Sequence, residues 1–128
     1  MPKSGIERSV PAAITYTIGS EAGNVINVAL QALDESGAEV SERCSFMFYL
    51  SDDANGDSIL GTAVSGSFVI GTDGVLLWQG ATGKGGYLVT ESDGDVDLNL
   101  THSGAKSLYF ITILPNGTLD ASAIIAFT

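Results

Sequence analysis

Residues 91–105 read ESDGDVDLNLTHSGA, and within them Val96, Leu98 and Leu100 alternate with Asp97, Asn99 and Thr101. Strict period-two alternation puts apolar side chains on one face and polar ones on the other, as in a half-buried β-strand. The run opens after a Ser92-Asp93-Gly94 turn and breaks at Ser103-Gly104-Ala105. Gly behind Asp supplies the positive φ that a tight turn demands.

The same pattern recurs on both sides. Ile14, Tyr16 and Ile18 alternate with Thr15 and Thr17, and Ile26, Val28, Leu30 and Ala32 follow, with Asn27 and Gln31 on the other face, up to a turn at Asp34-Glu35-Ser36-Gly37. The Ala22–Leu33 segment has some helix propensity through its AlaLeuGlnAlaLeu stretch, but its β-branched entry and its alternation favour a strand. Cys44–Leu50, CSFMFYL, is almost continuously apolar, which predicts a central strand with both faces covered that stops at SDDANGD. Phe68 and Ile70 lead through Thr72-Asp73-Gly74 into Val75–Trp78, predicting a hairpin. Tyr87–Thr90 precedes the opening run, and Leu108–Leu114, Pro115-Asn116-Gly117 and Leu119–Phe127 predict a last hairpin. Strands spaced by roughly 8–12 residues, with no helix-length segment between them, predict an all-β fold, an antiparallel β-sandwich. A jelly roll or closed barrel is the alternative.

At 128 residues the chain is expected to form one domain, and it is long enough to bury about two-thirds of its unfolded surface. Residues 1–11 differ from the rest: they hold two prolines, no periodicity, and Lys3 and Arg8 against Glu7. They read as an extended N-terminal arm, with residues 12–128 as the sandwich. The N-terminus has no apolar core of signal-peptide length, so synthesis in a cytoplasm is expected. No uninterrupted apolar stretch approaches the ~18–20 residues of a membrane helix. The net charge of −10 argues against nucleic acid and anionic membrane surfaces as partners, and eight of the fifteen acidic side chains fall in residues 51–100. The single cysteine, Cys44, excludes an internal disulfide, and one Cys with one His cannot supply a structural zinc site.

Few residues invite chemistry. Asp52, Asp53, Asn55 and Asp57, with Gly56 between them, place oxygen ligands as the first part of a calcium loop does. The twelfth-position Glu and flanking helices of an EF-hand are missing, so a turn dressed in solvated carboxylates outweighs calcium, and no cofactor is expected. A second acidic turn, Glu91–Asp95 with Asp97 beyond it, shares an ion with the first only if both lie at one end of the sandwich. His102 is expected as an exposed turn residue rather than a catalytic base. The acidic residues fall in turns or on polar strand faces, where a solvated surface is expected rather than a glycosidase pair. Gly80-Ala81-Thr82-Gly83-Lys84-Gly85-Gly86 fails the P-loop pattern, because no Ser or Thr follows Lys84, and reads as a flexible connection or as a segment that conforms to a neighbouring subunit. Cys44 reads as a small buried hydrophobe, and Trp78 is expected in the core.

The order of segments, VINVALQALDESGAEVSERCSFMFYLSDDANGD, then GTDGVLLWQG, then GYLVTESDGDVDLNLTHSGAKSLYFITILPNGTL, resembles small virion proteins of tailed bacteriophages. More loosely it is similar to bacterial Ig-like modules, in which a strand runs into an Asp-x-x-Gly turn like Asp34–Gly37. The resemblance covers residues 24–127 and carries no catalytic motif. It implies an Ig-like sandwich that is not an enzyme but a capsid decoration or cement subunit. Such a subunit is made in the host cytoplasm, sits on the virion exterior, binds the phage major capsid protein and forms a homo-oligomer there. On that reading Lys3, Ile6, Arg8 and Val10 of the arm would meet the capsid. The alternative is an Ig-like module of a tail or surface fibre that binds a receptor or glycan through the loops 52–58 and 80–86.

Overall fold

A computed structural model describes residues 10–81 and 83–128. The alternating run at residue 96 is a strand, and every other strand is antiparallel to its neighbours. In chain order the strands are β1 (Ala13–Ile18), β2 (Val25–Leu33), β3 (Ser45–Ser51), β4 (Val69–Ile70), β5 (Val75–Ala81), β6 (Gly85–Val89), β7 (Asp95–Thr101), β8 (Lys106–Ile113), β9 (Leu119–Ala121) and β10 (Ile125–Phe127). One sheet has the order β1-β2-β7-β4, the other β10-β8-β3-β6-β5 with β9 also beside β8. The two antiparallel sheets pack together as a β-sandwich.

The alternation is read out in the register. Ile26 pairs with Leu100, Val28 with Leu98 and Leu30 with Val96, and all six are buried between the sheets. From the other sheet Phe46, Phe48, Leu50, Leu88, Leu108 and Phe110 meet them. Phe48 stacks on Phe110 with ring centroids 4.8 Å apart, and Phe68 presents its edge to Phe48 at 5.3 Å. Burying each such side chain stabilises the fold by about 1.5–3 kcal/mol.

The segment after Phe68 is not a hairpin. β4 pairs with β7, through Val69↔Asn99 and Ile70↔Leu98, whereas β5 pairs with β6, so Gly71–Gly74 crosses from one sheet to the other. Asp97 holds this crossing. Its carboxylate accepts the N–H groups of Thr72 (3.0 Å) and Asp73 (2.6 Å), and its own N–H donates to the Asp73 carbonyl (3.0 Å). Gly74 completes the bend at φ +92°, where a Cβ would stand 2.5 Å from Val96 Cγ2.

The sheets are also stitched along one side. The Tyr16 hydroxyl donates to the Asp120 carbonyl (2.7 Å) and shares a hydrogen bond with the Thr112 hydroxyl (2.7 Å). The Ile14 N–H donates to the Asp120 carboxylate (3.2 Å). At the start of the described chain Val10 is exposed and Pro11 buried, and the Ala12 N–H donates to the Leu33 carbonyl.

Candidate functional site

β3 has its inner face covered throughout and its outer face covered only toward its end, at Tyr49 and Ser51. Phe46, Phe48 and Leu50 enter the core, which turns Met47 outward, where 47 % of it is exposed. Directly opposite Met47 on either side are Ile113 of β8 and Tyr87 of β6. Ile113 in turn faces Leu119 of β9, and Tyr87 faces Trp78 of β5. Leu119, Ile113, Met47, Tyr87 and Trp78 therefore form one cross-strand ladder over five strands, spanning about 19 Å at the usual strand spacing.

Trp78 was expected in the core and is instead 59 % exposed. The cause is a register shift: Leu76 still pairs with Leu88 and packs against the core, but the strand is bulged between Leu76 and Trp78. A bulge re-aims the following side chain. The indole then lies against Gly80, where any Cβ would collide with the ring.

A groove of about 550 Å³ opens beside the ladder, lined by Met47, Ile113 and Trp78, with Ile59, Gly56 and the Gly80, Gly85 and Gly86 backbone around them. No lining residue is charged. Gly56 and Ile59 arrive because the loop after β3 folds back over the sheet: the Tyr49 hydroxyl donates to the Gly56 carbonyl, and Ile111 is buried beneath. Burial, then Asp57 and Asp53, push the Tyr49 phenol up. Gly56 and Ile59 after β3 thus meet Gly80, Gly85 and Gly86 at one groove.

The outer face of the other sheet is unlike it. Thr15, Thr17, Asn27, Gln31, Asp95 and Asp97 line a shallow polar cleft there. At its edge Asp73, Glu91 and Asp95 bring carboxylate oxygens within 4.8 Å of one another, a donor set suited to a hard divalent cation. Desolvation, then Asp73, Asp93, Glu91 and Asp97, push Asp95 up to about 6. Burial acts the same way on Asp97, but the backbone N–H groups of Asp73 and Thr72 and the Asn27 amide (2.7 Å) outweigh it and hold that carboxyl below the usual range.

The four residues considered for calcium do not converge in this way. The Asp53 carboxylate accepts the Asn55 N–H (2.6 Å), and that of Asp52 accepts the Gly61 N–H (3.0 Å). Asp57 is exposed. This loop follows the end of β3 at Ser51, whereas Glu91–Asp95 follows Val89, the partner of Ser45, so the two acidic turns lie at opposite ends of the sandwich. The partner that sequence reading missed is Asp73, delivered by the crossing to the other sheet. His102 sits at the end of β7 with its Nδ1 accepting the Ser65 N–H (3.1 Å) and its ring against Phe127. Cys44 is half-buried beside Thr90, and burial pushes its thiol up. Lys3, Ile6 and Arg8 lie outside the described residues, and Val10 is 47 % exposed. No helix among the described residues is long and apolar enough to cross a membrane. Compared with known proteins, the chain matches no family model and no curated protein.

Proposed function

We propose that this chain is a structural subunit of a tailed-phage virion, a decoration or cement protein that binds the exterior of the head and stabilises contacts between capsomers. The observation that carries the reading is the uncharged apolar ladder on the outer face of the β10-β8-β3-β6-β5 sheet. In a chain of net charge −10, with a polar outer face on its other sheet, one such face is what a subunit held between protein neighbours requires. The resemblance over residues 24–127 supplies the kind of assembly. Lys3, Ile6, Arg8 and Val10 would reach the major capsid protein, and many weak contacts repeated over a shell would hold through avidity.

Co-sedimentation with undecorated capsids tests this. The expected result is saturable binding at a fixed ratio to capsid subunits, weakened at least tenfold in a variant lacking residues 1–10. Absence of binding by both forms would overturn the reading.

A second reading has an observation of its own. A groove in which Gly56, from the loop 52–58, and Gly80, Gly85 and Gly86, from the segment 80–86, surround an exposed tryptophan suits a receptor or glycan that stacks on the indole face. Binding to host cells without capsids, lost in Trp78→Ala, would favour it over the first.

A further inference from the structure

We propose that the ladder is a contact between two copies of this chain, packed face to face through their larger sheets. The exposed area is the right size. Trp78, Ile59, Met47, Val75 and Leu119 are 59, 50, 47, 45 and 44 % exposed. At roughly 150–250 Å² for a large side chain, that is on the order of 500 Å² of apolar surface per copy. A stable interface buries about 800 Å² per partner, of which roughly two-thirds is apolar in homodimers. The two figures agree.

Shape and charge favour a second copy as the occupant. A two-fold contact must be self-complementary, and an apolar face whose groove is walled by Trp78, Met47 and Ile113 can meet the same face of a second copy. The groove offers no charged side chain to a charged or strongly polar ligand. Face-to-face packing also turns both copies' acidic outer faces, with Asp95 and Asp97, away from each other. Asp53 and Asp57, which act on Tyr49 at the groove, stay at the rim of such a contact, so the association of two subunits of charge −10 depends on salt.

The pairing does not rest on the virion reading, and it is measured without capsids. Trp78 is the only tryptophan, so its emission reports on the face directly. Sedimentation equilibrium of the full chain from about 1 to 200 μM should show the mass rising from 13.2 kDa to twice that, with a blue shift of Trp78 emission over the same range. Raising NaCl from about 20 to 500 mM should tighten the association, because it screens like charges. Met47→Glu, checked for folding by circular dichroism, should weaken association at least tenfold. Val69→Glu, 58 % exposed on the edge strand of the other sheet, should leave it unchanged. A monomer throughout the range with constant emission would overturn the proposal, as would association that survives Met47→Glu or is equally lost in Val69→Glu.

Discussion

Asp95 and Asp97 stand two residues apart on one strand and their carboxyls are driven in opposite directions. Asp97 is nearly buried yet accepts three donors, so it stays ionised and holds the crossing between the sheets. Asp97→Ala leaves those donors without an acceptor and should cost about 2–4 kcal/mol, read as a lower denaturant midpoint at unchanged m-value. Asp95 faces four other carboxylates, and its folded pKa of about 6 lies above the usual range. A raised acid pKa means that the folded state binds the proton more tightly than the unfolded one. This stabilising contribution is complete below the unfolded value near 4 and is lost as pH rises through about 6. Asp95→Asn should therefore raise stability at pH 7 by a few tenths to about 1 kcal/mol after solvent screening, and leave it unchanged near pH 3.5. Melting curves of both proteins at the two pH values check this.

The elements show what the amino-acid order could and could not reveal. Around residue 96 the two phases of the strand differ in polarity, so alternation is visible and the core face can be named. In CSFMFYL both phases are apolar, and the outward turn of Met47 is hidden because period two needs contrast. Asp-Gly turn chemistry at 73–74 is the same for a hairpin as for a crossing between sheets. What decided between them was a carboxylate twenty-four residues away in the chain. The ladder was equally out of reach, since each of its five residues comes from a different strand and only register unites them. A bulge, which no composition reveals, set the direction of Trp78. Stitching across the sheets was also invisible, and it has a measurable weight. Tyr16→Phe removes the hydrogen bonds to Thr112 and Asp120 and should cost about 1–2 kcal/mol, seen as a melting temperature lower by several degrees. Amide exchange at Ile14, which bonds the Asp120 carboxylate, should accelerate with it.

At the scale of the molecule, two sheets of similar construction have acquired different outer surfaces, one polar and acidic, one with an apolar groove whose lining carries no charge. The separation matters because most of the chain's negative charge then repels itself from one side and from the turns. Adding about 0.5 M NaCl should raise the melting temperature of the dilute protein by a few degrees through screening alone. The inter-sheet hydrogen bonds should be indifferent to salt, so Tyr16→Phe should show the same increment.

The chain enters β1 opposite Leu33 and leaves β10 opposite Lys106, at the two far ends of the sandwich. Tension applied between those points would run along the strands, pulling β1 against β2 and β10 against β8 in shear. Hydrogen bonds loaded sideways in parallel must rupture together, whereas a hairpin pulled open at its mouth yields one rung at a time. The geometry is that of a mechanical clamp, with the Tyr16–Asp120 stitch as a rivet beside it.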